Sequence, residues 1–181
     1  MEEKHDVNIQ SVKSDAHDIK RFRVEKPNGY AFKLIGLKLD GKTKNENGQA
    51  GTDCGELWQK FEVNQISKRI PSKRSDAVYA VYYDYESDEN GAFSYFIGCR
   101  VADHTEVPPN LDELMIPEQT YHKEIAKGQM TDCITKVWEK IWNSNLNRKF
   151  GFDFEVYDER SYDWENAEVD IYVSVNDDNR Q

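Results

Sequence analysis

Residues 150–160 read FGFDFEVYDER, and Glu155 is the residue in them with chemistry to offer. Phe152, Phe154 and Val156 alternate with Asp153, Glu155 and Tyr157, the two-residue period of a strand with one apolar face. Strand parity puts Glu155 and Tyr157 together, opposite the phenylalanines. In the next apolar run, Asp170, Tyr172 and Ser174 alternate with Val169, Ile171 and Val173. A carboxylate among aromatic rings has two uses. It can attract an organic cation, helped by the ring faces. With its pKa raised by apolar surroundings, it can take a proton from water as a general base. The plain alternative is a solvated outer face, where most acids lie.

No other chemistry competes. Cys54, Cys99 and Cys133 are far apart and form no CxxC pair, and His5, His17, His104 and His122 have no ligand spacing. No metal site and no cofactor are expected. The turn ESDENG (86–91) lacks the pattern of a calcium loop. Unpaired thiols fit a reducing cytoplasm. The start MEEKHDVNIQ is not a signal peptide, and no apolar run is long enough to span a membrane. The net charge of −10 argues against direct nucleic-acid binding and is compatible with a cationic ligand.

The elements that must position Glu155 repeat. Residues 1–19 read as a polar tail, and a single domain spans 20–178. KRFRVEK (20–26) starts a strand, followed by turn chemistry at Pro27-Asn28-Gly29 and a buried strand at YAFKLIGLKLDG (30–41). Asp53 and Glu56 have capping-box spacing ahead of a helical stripe of Leu57, Trp58, Phe61, Ile66 and Ile70, which Pro71 ends. DAVYAVYYDYES (76–87) and AFSYFIGCRVA (92–102) form a hairpin. A linker at 103–113 leads to a strand at 114–128, where Pro117 suggests an edge or a bulge. TDCITKVWEKIWNSNL (131–146) is a helix with one broad apolar face, and two strands follow at 150–159 and 167–175. The order is β-α-β-β twice, about 20–102 and 114–178. LWQKF (57–61) matches VWEKI (137–141), and TDC recurs at 52–54 and 131–133. An internal duplication predicts two similar modules about an approximate two-fold axis. The expected fold is α+β: an antiparallel-rich sheet with both helices on one side and a ligand cleft on the other. Phe152, Phe154 and Val156 are expected under the Trp138 helix.

Taken in order, LIGL (34–37), LWQKF, YYDYESDENGAFSYFIGCRV (82–101), IPEQTY (116–121), VWEKIW (137–142), DFEVYDE (153–159) and AEVDIYVSV (167–175) resemble the GyrI-like superfamily over residues 22–176. That superfamily includes the effector-binding domains of AraC-type and multidrug-sensing activators of bacteria. The resemblance implies a central cleft for small hydrophobic, often cationic molecules, with Glu155 as its acidic residue. With strand parity and the repeat, the expected lining is Glu155, Tyr157, Tyr172, Tyr83, Tyr85, Tyr95 and Trp138; Tyr82, Tyr83, Tyr85 and Tyr95 read most simply as hairpin packing pairs, and Trp58 and Trp138 as core on their helix stripes. Some stand-alone members resembling this chain are hydrolases of cyclopropane-bearing natural products, which would make Glu155 catalytic. Others bind DNA gyrase or act as sensing domains, leaving a protein partner open. Activators carry a helix-turn-helix domain first. The roughly 20 residues ahead of the domain are too few for one, since a packed domain needs at least ~40.

Overall fold

The computed structural model describes residues 8–14, 17–23 and 30–177. The Pro27–Gly29 turn and the first seven residues of the expected tail lie outside them. Within the described part of that stretch, β1 (Asn8–Ser14) and β2 (His17–Arg23) pair antiparallel. β2 also pairs with β8 (Thr120–Gly128), which ties it to the main sheet.

The described strands form one ten-stranded sheet. Its centre is β3 (Tyr30–Lys38), β5 (Val78–Tyr83), β6 (Ala92–Val101), β8, β9 (Asp153–Tyr157) and β10 (Ala167–Val175). The order β8-β10-β9-β5-β6-β3 reads the same from either end once the two halves are exchanged, and β5 and β9 meet antiparallel at the middle. The repeat seen in the sequence is therefore built as two β-α-β-β units across a pseudo-two-fold axis. β4 (Thr43–Lys44) adds to β6. The stretch expected as one strand at 114–128 is two: β7 (Asp112–Pro117) turns back along the outer edge of β3, and β8 belongs to the second unit. Pro117 ends the edge strand, a place where its missing N–H costs no ladder bond.

Gly36 and Gly98 face each other across β3 and β6. A Cβ on Gly36 would lie 1.9 Å from the Ile97 carbonyl oxygen, and one on Gly98 would lie 2.4 Å from that of Ile35. The two strands approach this closely only without side chains there.

Helices α1 (Gln49–Val63) and α3 (Asp132–Trp142) pack on the same face. Leu57 and Phe61 of α1 bury against Ile35, Leu37, Ile97 and Cys99; Cys133, Ile134, Trp138 and Ile141 of α3 bury against Val169, Ile171 and Val173. Tyr82 and Tyr157 touch both clusters and so lie between the helices. The short α2 (Ile66–Arg69) follows α1. Helix α1 begins a turn earlier than its capping box suggested: its N-cap is Gly48, in the left-handed conformation, and no side chain caps it. Asp53 lies inside the helix, where its carboxylate accepts from Thr43 Oγ1 and Gln49 Nε2, each at 2.7 Å.

The opposite face of the sheet is also apolar. Phe32, Leu34, Val81, Phe96, Tyr121, Phe154 and Tyr172 form a continuous buried layer there. Phe154 meets Phe32 edge-on at 5.8 Å and stacks on Tyr172 at 4.9 Å.

Candidate functional site

Cross-strand partners share a face, so register decides which residues join Glu155. Glu155 pairs with Ala80 on β5 and with Ile171 on β10. Ala80 and Ile171 belong to the clusters under the helices, so Glu155 points at the helices. This reverses the expected arrangement. Phe154 and Val156 belong to the other face, Phe152 packs with them, and the cleft opens on the helix side, between α1 and α3.

The same register sorts the tyrosines. Tyr82 pairs with Asp153 and Tyr95, both on Glu155's side. Tyr83 points away and stacks on Phe152 at 5.4 Å. Tyr172 pairs with Phe154 and lies in the opposite layer. Tyr83 and Tyr172 therefore leave the expected site. Tyr85 would share Tyr83's face if β5 continued. Asp84 instead adopts φ 52°, which ends the alternation and lets the Tyr85 hydroxyl reach Asp153 Oδ2 at 2.7 Å.

Glu155 is 1% exposed and hydrogen-bonded on both oxygens. Oε2 accepts from Trp138 Nε1 at 2.7 Å and from the Tyr82 hydroxyl at 3.0 Å; Oε1 accepts from the Tyr157 hydroxyl at 2.7 Å. Next to them, Trp58 Nε1 donates to the Tyr95 hydroxyl at 2.8 Å, and the Tyr82 and Tyr95 rings meet at 5.0 Å. The two repeated tryptophans thus both aim their N–H into one polar centre. Every donor to Glu155 is neutral, and among the described residues no lysine or arginine forms an ion pair with it. Burial pushes its carboxyl up from the ordinary glutamate range, and the bonds from Tyr157, Trp138 and Tyr82 pull it back only in part. Burial, then the Glu155 charge, pushes the Tyr82, Tyr95 and Tyr157 hydroxyls far up, so they stay protonated donors.

Above this centre lies a cavity of about 230 Å³. Ala50, Gly51 and Cys54 of α1 form one wall and Ile134, Thr135, Trp138 and Trp142 of α3 the other; Asn45, Tyr82, Tyr85, Glu89, Phe93 and Arg148 also line it. Tyr82 and Trp138 both line the cavity and bond to Glu155, so the carboxylate is one side chain from the opening. Burial, with help from the Glu155 and Asp53 charges, pushes the Cys54 thiol up to about 12, which makes it a neutral wall rather than a nucleophile.

Of the residues expected at the site, the fold brings together Glu155, Tyr157, Tyr95, Trp138 and Tyr85. Sequence reasoning missed Tyr82, Trp142, Phe93 and Arg148, and left Trp58 as core. The signal for Tyr82 was its place beside Tyr83, but only the register with β9 distinguishes the two.

Two β-α-β-β units sharing one sheet, with an aromatic cleft between their helices, make this chain a GyrI-like effector-binding domain. It belongs to the Cass2 family of integron-associated effector binding proteins, whose profile matches residues 25–175. Among solved structures, an integron cassette protein from the mobile metagenome of Vibrio cholerae superposes with a TM-score of 0.64 at 23% identity, over 93% of this chain and 97% of its own. SAV2435, in a structure with bound tetraphenylphosphonium, superposes with a TM-score of 0.68 at 15% identity, over 89% of this chain and 94% of its own. The transcriptional regulator BrlR of Pseudomonas aeruginosa is 28% identical over 159 residues; these cover 84% of this chain and 54% of BrlR, so the chain spans about half of that relative. Among the described residues, no helix is long and apolar enough to cross a membrane.

Proposed function

We propose that this protein binds small aromatic or hydrophobic cations in the cleft between α1 and α3 and acts as a sensor or sequestering protein for them. The observation that carries this reading is Glu155: a buried carboxylate whose hydrogen-bond partners are all neutral and in which two of those partners form the cavity floor. Ionising a buried carboxylate is costly, and a bound cation offsets that cost. With one side chain between them, at ~8 Å and an effective dielectric near 20, the attraction is about 2 kcal/mol before desolvation. Each aromatic ring of the lining whose face meets the cation adds about 0.5–2 kcal/mol. Tetraphenylphosphonium, the ligand of SAV2435, is a molecule of this class. The likeness to the transcriptional regulator BrlR, of which this chain spans about half, supports a regulatory setting.

The hydrolase alternative needs a water at Glu155. Both carboxylate oxygens already accept hydrogen bonds, and the side chain is 1% exposed, so the geometry favours binding over turnover.

Glu155→Gln tests the reading. Glutamine fits the site: its oxygen accepts from Tyr82 and Trp138, and its amide donates to the Tyr157 hydroxyl, which can also accept. Calorimetry with phenyltrimethylammonium, a single-ring cation of a size to fit the cavity, is expected to show a loss of about 2 kcal/mol, the Coulomb attraction across ~8 Å at an effective dielectric near 20, and a much smaller loss for a neutral ligand of similar shape. Equal affinity of wild type and variant for the cation returns Glu155 to a structural role. Turnover of a cyclopropane-bearing compound, with its loss in the variant, would establish the hydrolase.

A further inference from the structure

One charged group on the cavity wall, Arg148, is not used by a simple cation. Arg148 lies in the segment joining α3 to β9, and its side chain is only 6% exposed. The ring of Phe150 covers its guanidinium at 4.2 Å, and that of Trp138 lies 5.9 Å away. Nη2 donates to Asp153 Oδ2 at 3.0 Å. Asp153 is fully engaged: Oδ1 accepts from the Ser174 amide at 2.6 Å and the Ser174 hydroxyl at 2.7 Å, and Oδ2 also accepts from Tyr85. Arg148 Nε and Nη1 have no acceptor among the described residues. The Tyr85 hydroxyl, which donates to Asp153, also interacts with the guanidinium beside it. A guanidinium carries five N–H donors and no acceptor, and buried donors without partners are costly.

We propose that Arg148 receives an acceptor oxygen of the ligand, so that the cleft is selective for aromatic cations that also carry a carboxylate or carbonyl. Trp138 joins the two halves of such a site: its indole N–H bonds to Glu155 and its ring lies beside Arg148. The ligand's cation faces the Glu155 side and its oxygen the Arg148 side, across a cavity sized for a single substituted ring. Asp153 already balances the arginine's charge, so directed N–H donation, not net charge, makes the selection. This inference rests on the cation reading of Glu155 and names the ligand class for that same cleft.

Three probes separate the possibilities, with binding followed by tryptophan fluorescence or calorimetry: phenyltrimethylammonium, 4-(trimethylammonio)benzoate and 4-(trimethylammonio)benzamide. In the wild-type protein, at least one acceptor-bearing probe is expected to bind about tenfold or more tightly than phenyltrimethylammonium. Preference for the benzoate identifies a carboxylate ligand, and preference for the benzamide a neutral carbonyl. The readout is the affinity ratio within each protein. The double variant R148M/D153N removes the ion pair without leaving a buried charge, and its ratio is expected to fall to about threefold or less. Arg148→Lys keeps the charge and the pairing to Asp153 but lacks the planar fork; it is the second variant, with the same expected loss. Equal binding of all three probes by the wild type overturns the acceptor site and leaves the cation reading intact. A ratio that survives both variants overturns the assignment to Arg148. If none of the probes binds, the inference falls together with the reading beneath it.

Discussion

At the scale of the residue, Glu155 sets the pH behaviour of the cleft. Its folded-state pKa is raised by burial, so ionisation costs stability as pH rises through that value, and the cost is absent below the ordinary glutamate range. Glu155→Gln mimics the protonated form. Its stability relative to wild type is therefore expected to increase from acid to neutral pH, as urea unfolding at a series of pH values would show; a constant difference would mean that the carboxylate does not titrate on folding. Cation binding has the matching sign. A bound cation favours the carboxylate, so binding releases a proton near the raised pKa and weakens as pH falls through it. Calorimetry in buffers of different ionisation enthalpy measures that proton directly. Trp138→Phe keeps an aromatic floor but removes one of the three donors to Glu155. It is expected to push the carboxyl up further and to weaken cation binding at neutral pH by about 1–2 kcal/mol, within the range for a hydrogen bond to a charged group. Unchanged affinity in that variant would mean the indole N–H does not support the ionised state.

At the scale of the element, the cleft depends on how closely the strands beneath it pack. Gly36 and Gly98 let β3 and β6 approach, and β6 carries Tyr95 and Phe93 to the site. Gly36→Ala would drive a Cβ into the Ile97 carbonyl, a backbone atom that cannot step aside. A loss of about 3 kcal/mol is expected in urea unfolding, at the upper end for overpacking. A shift within experimental error would show that the strands can separate locally. The helices have the complementary role. Trp58 and Trp138 come from equivalent helices and both donate into the centre, so each unit supplies one wall and one indole. Only the second unit supplies the acid: the residue facing Glu155 across the central strand pair is Ala80. The small alanine leaves room for the larger side chain, and the duplicated frame becomes an asymmetric site.

At the scale of the whole molecule, the net charge is −10, and the cleft has a buried carboxylate beneath its aromatic floor. The resulting field steers cations inward, so the association rate for a lipophilic cation is expected to fall as ionic strength rises, across the range where the Debye length shrinks from about 30 to 10 Å. Stopped-flow fluorescence at two salt concentrations checks it, and a salt-independent rate would confine the electrostatics to the cleft. The same charge repels a phosphate backbone. A gel shift with duplex DNA is expected to show no salt-dependent, low-micromolar complex, because such binding needs a basic footprint.

The repeat of β-α-β-β, the helix stripes through Trp58 and Trp138, and the pairing of Glu155 with Tyr157 on one strand face follow from the sequence, because periodicity and parity are local properties of the chain. Which face that was did not follow. Alternation marks the apolar side of a strand with one solvated face, but this sheet is buried on both, with Phe154 in one layer and Glu155 in the other. A buried acid held by three neutral donors is the exception that a polar-outside rule cannot anticipate. Register was equally hidden. A one-residue offset between β5 and β9 sends Tyr82 rather than Tyr83 to the site, and a one-residue offset between β9 and β10 removes Tyr172 from it. Arg148 had no periodicity to reveal it, since it lies in a connection. Its importance arises from Asp153, Phe150 and Trp138, which only the folded chain brings around it.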